Sequence, residues 1–290
     1  MKFAYYPGCS LHSTAKEYDM SSRAVCELLG IELEEVLDWN CCGASSAHAT
    51  NRDLSIALPM RNLAIAEEMG LDVVAPCAAC YNRLKSANAA VKDDTNLLNR
   101  INDVTGKDYK ASINVLSLLE AVDRMGVDAI KPHVKRSLEG LRTASYYGCL
   151  LLRPPGVTCF DNTENPTSMD NILAALGAEP VQWPHKTECC GAGLSISKSD
   201  IVVKLTHDIL DAAKKSGANC IVSACPLCQS NLDSRQSQVE NTYEEYYGLP
   251  VFFFTQLMGL AFGLPAKSLG MNKLMVNPVP VLEGIGSKDK

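Results

Sequence analysis

Three observations in the sequence predict an α/β fold of two tandem, pseudo-symmetric halves, each a small, mostly parallel sheet with flanking helices. A cysteine pattern occurs twice at nearly the same spacing, amphipathic helical patterns precede short apolar runs in both halves, and each of those runs ends at a C-x-x-C pair. The first set is Cys9, then Cys41-Cys42-Gly43 thirty-two positions on, then Cys77-Ala-Ala-Cys80 thirty-five positions after Cys42. The second is Cys149, then Cys189-Cys190-Gly191 forty positions on, then Cys225-Pro-Leu-Cys228 thirty-five positions after Cys190. A self-similarity of this kind is read as a duplication before anything else.

The elements can be justified in order. Tyr5-Tyr6-Pro7-Gly8-Cys9 answers to Tyr146-Tyr147-Gly148-Cys149, each beside a short β-prone run that leads into a loop and a helix. The first helix carries Met20, Ala24, Leu28 and Leu29 before Gly30. Its counterpart carries Ile172, Leu173, Ala175 and Leu176 before Gly177, and a terminal glycine suits a left-handed C-cap. A turn with Trp39 or Trp183 follows, both read as core packing beside the cysteine pair. Second helices are expected at about 54–69 and 200–216, ending at Gly70 and Gly217. The apolar runs 73–77 and 220–225 then read as buried parallel strands, which deliver each C-x-x-C at a carboxyl end, where open α/β sheets place ligands. The next helices are expected near Tyr81 and Gln229, with their N-termini toward the sulfurs. One more strand and helix close each half, at 113–122 and 251–262. The stretch 126–142 reads as a connector, so the domains are 1–140 and 141–290, and the last twenty residues read as an extended arm or frayed tail.

Composition excludes several classes. The net charge of −6 gives no basic footprint for nucleic acid. There is no signal-peptide pattern and no run of about 20 apolar residues to span a bilayer, since 251–264 is too short and contains Gln256. Thirteen cysteines without an export signal point to a reducing, cytoplasmic setting, where such patterns usually mean metal binding or catalysis. Adjacent cysteines cannot bridge each other without severe strain. Soft thiolates select zinc, copper(I) or iron–sulfur clusters, and five exceed the four of a structural zinc site. No G-x-G-x-x-G opens a helix in either half, so a flavin or nicotinamide belongs elsewhere.

These residues resemble the cysteine-rich CCG proteins, and within them the B subunit of heterodisulfide reductase, over nearly the whole chain. The pattern of a cysteine, Cys-Cys-Gly and C-x-x-C is met in both halves. The stretches from Tyr146 to Pro154 and from Asn165 to Asp170 look specifically like that B subunit. The resemblance implies two tandem CCG domains and two noncubane [4Fe-4S] clusters flanking a cavity in which a disulfide of the CoM-S-S-CoB type is reduced. Carried over, the first cluster uses Cys9, Cys41, Cys42, Cys77 and Cys80. The second uses Cys149, Cys189, Cys190, Cys225 and Cys228, and all ten act in catalysis through the clusters. The resemblance also implies two heterodisulfide reductase partners, the small iron–sulfur C subunit, which feeds electrons, and the upstream A subunit, which carries flavin and iron–sulfur groups. Its archetype serves methanogenesis.

The remaining candidates have plainer readings. Cys26 and Cys220 read as buried small hydrophobes, and Cys159 lies outside the pattern. His12, His48 and His185 are candidate proton donors but equally readable as surface or structural histidines. Arg153 and Lys186 would attract an anionic substrate, or be solvated. Gly8, Gly43, Gly148 and Gly191 are expected to allow turns around a bulky group. One alternative is an electron-transfer subunit that exchanges electrons with a quinone, which requires an exposed amphipathic surface beside one cluster. Another, from a different class, is a structural double-zinc module.

Overall fold

A computed structural model describes residues 1–44 and 47–286. Each half contains a four-stranded sheet in which every pairing is parallel. In the first, β1 (Lys2–Tyr5), β2 (Glu32–Glu35), β3 (Val73–Ala75) and β4 (Val115–Ser117) are ordered β2-β1-β3-β4. In the second, β5 (Arg142–Tyr146), β6 (Glu179–Pro180), β7 (Cys220–Ser223) and β8 (Val251–Phe253) are ordered β6-β5-β7-β8, the same topology. The central strands read Val-Val-Ala and Cys-Ile-Val-Ser and are buried throughout, as strands covered on both faces must be. Edge strand β2, Glu-Leu-Glu-Glu, alternates exposed and half-buried positions instead.

This strand order locates the site. In each sheet the chain leaves its first strand outward to the edge and returns on the other side, so the order reverses between β1 and β3 and again between β5 and β7. Such a switch point opens a crevice at the carboxyl ends of the two strands. Cys9 and Cys77 follow β1 and β3, and Cys149 and Cys225 follow β5 and β7.

The helices at Arg52–Glu68 and Ser199–Lys215 agree with the sequence expectation, the first being capped by Asn51, whose side chain accepts from the Leu54 amide. The helices after C-x-x-C begin earlier than expected, at Ala78 and Pro226. Cys77 and Cys225 are therefore the N-cap residues, and Cys80 and Cys228 lie in the first turn. Pro226 favours this start because a first-turn proline gives up no hydrogen bond. A helix at Thr95–Thr105 was not anticipated. Asp94, accepting from the Leu97 amide, caps it, and Leu97 and Ile101 bury its inner face.

The halves interlock. Helix Lys16–Leu28 of the first packs on helix Phe254–Ala261 of the second, and helix Ser168–Ala175 of the second packs on helix Leu118–Asp123 of the first. At the first contact Tyr18 stacks on Phe253 with ring centroids 4.0 Å apart, and the Ser21 and Thr255 hydroxyls share a hydrogen bond of 2.7 Å. One continuous apolar core runs through both sheets.

The carboxy-terminal segment corrects the expectation of a frayed arm as far as residue 286, Ser287 to Lys290 lying outside the described residues. It forms a 3-10 turn at Met271–Lys273 and a short helix at Val279–Glu283, and it buries Leu269, Met271 and Ile285. Asp233 anchors it by accepting from the amides of Met275 (2.7 Å) and Val276 (3.3 Å). Burial, opposed by those amides, pushes the Asp233 carboxyl up to about 6 from its ordinary 3.8. The fold therefore holds this proton more tightly than the unfolded chain does, so its contribution is full below about pH 4 and lost as pH rises through about 6. Asp233→Asn is expected to flatten a stability change of roughly 1–3 kcal/mol across that window in urea titrations. An unchanged slope refutes the assignment.

Candidate metal centre

All thirteen cysteines are free thiols, and the fold gathers ten of them into the two sets the spacing defined. In the first, Cys42 Sγ lies 3.3 Å from Cys80 Sγ. Cys77 and Cys80 perturb each other, and Cys9 and Cys41 face solvent beside Cys42. In the second, Cys149 pairs with Cys189, Cys190 with Cys228 and Cys228 with Cys225. The sets are also in contact with each other, because the thiols of Cys77 and Cys225 are close enough to perturb one another. The sequence could not reveal this junction. It results from two N-cap cysteines meeting across the interface between the halves.

Within the hydrogen-bonded pairs one thiol is poised to lose its proton while its partner holds on to its own: Cys42, Cys189, Cys190 and Cys225 are lowered, and Cys80, Cys149, Cys228 and Cys77 are raised. Hydrogen bonding with Cys80 holds Cys42 down to about 7, and the Cys149 thiol holds Cys189 down to about 6. Cys225 is drawn well below an ordinary thiol by Cys228 and Cys77, and then by the first-turn amides of Cys228 and Leu227. The Gly43 and Gly191 amides donate to Cys41 Sγ and Cys189 Sγ, both at 3.4 Å. Thiolate is the form that binds metal, and helix N-termini favour it.

The second layer repeats the symmetry and contains residues that the sequence reading passed over. The Tyr6 phenol donates to Asn40 O at 2.7 Å and that of Tyr146 to Glu188 O at 2.6 Å, in each case the carbonyl just before the Cys-Cys pair. Each lies in the field of four cysteines of its own set, and burial first and that field second keep both phenols protonated. The signal was present, since the two tyrosines occupy matched places in the repeat. Tyr18 is a third. It is buried against both Cys225 and Cys77, and its phenol donates to Ala224 O at 3.3 Å.

Gly8 and Gly148 are required by space and conformation. Both have left-handed φ (66° and 67°), and a β-carbon would stand 2.8 Å from Cys80 Sγ at Gly8 and 3.1 Å from Cys228 Sγ at Gly148. Gly8→Ala is expected to cost about 1–3 kcal/mol and to lower iron uptake by the first set, with Gly148→Ala milder. Iron analysis of the two variants checks the order, and equal uptake by Gly8→Ala and the parent chain contradicts it.

The other candidates fall away from the thiols' chemistry. His12 pairs with Glu35 at 3.3 Å and packs edge-on against Trp39, His185 lies over Trp183, and His48 is on the exposed short helix Ala47–Thr50. Trp183 is buried and Trp39 half-buried in the core beside each site, as expected. The Arg153 guanidinium is held by Thr187 O, Thr163 O and Glu164. Lys186 is neither solvated nor free to attract substrate. It is buried in an ion pair with Asp170 at 2.9 Å and donates to Pro166 O at 3.0 Å. Cys26 and Cys220 are buried as expected, and Cys159 is exposed.

The apolar stretch 251–264, a candidate for a quinone-facing surface that is equally readable as core, is buried through Phe262. Exposed apolar side chains do flank the second set, however. Leu227 sits inside its C-x-x-C, Leu194 and Ile196 follow its Cys-Cys-Gly, and Ile201 opens the next helix. Among the described residues no three His, Cys, Asp or Glu side chains converge as they would around a single metal ion. Ten free thiols in two sets, several held toward thiolate, with glycines keeping the backbone clear of the sulfurs, suit a larger thiolate-bound centre.

Doubled α/β sheets with paired cysteine sets at their switch points define a class of cysteine-rich domain. The chain belongs to the CCG cysteine-rich domain family, whose profile matches residues 3–85 and again 143–233. It is 37% identical over 279 residues to the 8-methylmenaquinol:fumarate reductase membrane anchor subunit of Wolinella succinogenes, covering 95% of this chain and 97% of that one. It is 28% identical over 291 residues to the B subunit of the ferredoxin:CoB-CoM heterodisulfide reductase of Methanosarcina mazei, covering 98% and 97%. Among solved structures, a hypothetical protein from Helicobacter pylori superposes with a TM-score of 0.78 at 12% identity, over 95% of this chain and 52% of that chain, which bears on the fold alone.

Proposed function

We propose that the chain is the iron–sulfur subunit of a multisubunit oxidoreductase that reduces a disulfide of the CoM-S-S-CoB type to two thiols. Two domains, divided near residue 140, would each hold one noncubane [4Fe-4S] cluster. Cys9, Cys41, Cys42, Cys77 and Cys80 would hold the first, and Cys149, Cys189, Cys190, Cys225 and Cys228 the second. The observation that carries this reading is the meeting of the two cysteine sets at Cys77 and Cys225. Cleavage of R–S–S–R′ consumes two electrons and two protons and yields RSH and R′SH. When bound, the clusters supply those electrons one each and an iron that stabilises a departing thiolate.

The chain's own residues have separate tasks. The four buried cysteines of the C-x-x-C pairs keep the junction dry. Tyr6 and Tyr146, held neutral, fix the carbonyls ahead of each Cys-Cys pair and so the direction of those thiols. Exposed Cys9, Cys41 and Cys189 mark the open side, toward which electrons and substrate arrive. The Methanosarcina relative is named as one lettered subunit of a reductase, which supports partner subunits, an iron–sulfur one and a flavin-bearing one in this reading. The setting is cytoplasmic, with any membrane attachment made by a partner. Among the described residues no helix is long and apolar enough to cross a membrane.

A second reading, electron exchange with a quinone, is favoured by the exposed Leu194, Ile196, Ile201 and Leu227 beside the second set and by the Wolinella relative's name. Anaerobic iron and sulfide analysis with electron paramagnetic resonance separates the two. Eight irons per chain and a signal altered by the heterodisulfide or its thiols support the first. A signal that responds only to menaquinone analogues supports the second and overturns the first.

A further inference from the structure

Between the two halves lies a cavity of about 380 Å³, lined by Glu120, Asp123, Arg124, Cys159, Asp161 and Ser168 among others. Its counterpart under the internal two-fold is filled by the chain itself. Helix Leu118–Asp123 corresponds to Phe254–Ala261, so Glu120 corresponds to Gln256, the third residue of each helix. Gln256 donates to Leu269 O at 3.0 Å, and Gly270 packs so closely on helix Lys16–Leu28 that a β-carbon would meet Glu17 Cβ at 2.4 Å. The segment at 269–270 is thus wedged between Gln256 and the first turn of the packed helix. In the first half the equivalent space, between Glu120 and the first turn of helix Ser168–Ala175, is the cavity.

What the cavity lacks, among the described residues, is a donor within hydrogen-bond distance of the second Glu120 oxygen. Glu120 is 4% exposed, with one carboxylate oxygen on Arg124 at 2.8 Å, while the other has no hydrogen-bond partner. Lys85 Nζ forms an ion pair with that oxygen at 3.6 Å, beyond hydrogen-bond distance, and donates its hydrogen bond to Tyr81. Ser168, 5% exposed, also has a hydroxyl without a partner. Asp161 accepts only backbone amides, from Asn162, Thr167 and Ser168. Burial, with Asp161 and Glu120 adding to it, raises the carboxyl of Asp123. Three carboxylates thus face the two cations Arg124 and Lys85, and the second Glu120 oxygen, though 3.6 Å from the Lys85 ammonium, is buried without a hydrogen bond of its own, which costs free energy until a donor within bonding distance fills it.

We propose that this cavity receives an arginine or lysine side chain carried on a segment of a partner protein, as its counterpart receives residues 269–270 of this chain. The occupant must donate where Gln256 donates, because a carboxylate only accepts. The negative surroundings select a cation, and the symmetry argues for a chain segment.

Cys159 lines the cavity outside both cysteine sets and reports on occupancy. Its alkylation by iodoacetamide, followed by peptide mass spectrometry on the anaerobically purified full chain, is measured with N-acetyl-arginine methylamide, its citrulline analogue or guanidinium. The arginine compound is expected to slow alkylation several-fold and saturably and the citrulline compound to leave it unchanged, with guanidinium weaker than arginine. Glu120→Gln, which installs the counterpart's residue, is expected to abolish protection. If that variant misfolds, the half-exposed Asp123→Asn is expected to weaken protection several-fold. Equal protection by citrulline, or protection that survives both substitutions, overturns the proposal. Guanidinium as effective as capped arginine overturns the chain-borne occupant in favour of a free cation.

Discussion

Cys190→Ala is expected to halve the iron content, leave the first set's spectroscopic signal intact, and lower disulfide reduction by at least about a hundredfold, equivalent to about 2.7 kcal/mol of barrier. Cys190 is buried, and its thiol interacts with Cys228 and lies in the field of Cys225 and Cys189, so its loss removes a member at the centre of the second set. The first set keeps its own 3.3 Å contact between Cys42 and Cys80. On the proposed function the effect on activity is large because one remaining centre would deliver one electron, and a disulfide that accepts only one is not cleaved to two thiols. Iron analysis, paramagnetic resonance and turnover on the same sample check the result. Turnover that persists with the second site empty defeats the two-centre mechanism.

Lys186→Met is expected to destabilise the protein by about 3–5 kcal/mol, because it leaves the carboxylate of Asp170 buried without its cation. That pair is almost wholly enclosed, with side chains 2% and 9% exposed, and Asp170 is held further by the Tyr147 hydroxyl at 2.9 Å. The loss reaches the site through the backbone, because the Lys186 carbonyl accepts from the amides of Tyr147 and Gly148, next to Cys149. Iron in the second set should therefore fall along with the melting temperature, by about 10 °C for such a loss. The double variant Lys186→Met, Asp170→Asn should recover much of the stability, since removing both charges relieves the burial. Thermal and urea unfolding of the single and double variants test this. A single-variant cost below about 1 kcal/mol, the ordinary value for an exposed pair, contradicts the assignment.

Much of the fold was legible because its signals are local. Val73-Val74-Ala75 and Ile221-Val222 are buried-strand sequences at any position in a chain, and glycines end the helices that precede them. The duplication was legible because ten cysteines repeat at fixed spacing. Failures occurred where one half's residue is completed by a distant one. Lys186 looked like a loop charge until Asp170 enclosed it. The carboxy-terminal stretch, interrupted by two prolines, has little local preference, and its order comes from Asp233 and the groove beside Gln256. Helix Thr95–Thr105 carries a readable cap in Asp94 and apolar spacing in Leu97 and Ile101, but it lies outside the repeated cysteine pattern.

The sequence by itself determined the two parallel sheets, the paired cysteine sets and their delivery to the strand ends, because strand burial, helix capping and thiol chemistry depend on neighbours a few residues away. Only the tertiary structure decided that Cys77 meets Cys225, that each half's helix packs on the other half, and that the twin of the space filled by Leu269 and Gly270 is left as a cavity. Those relations lie beyond the reach of local sequence preference, and packing between separately encoded surfaces sets them.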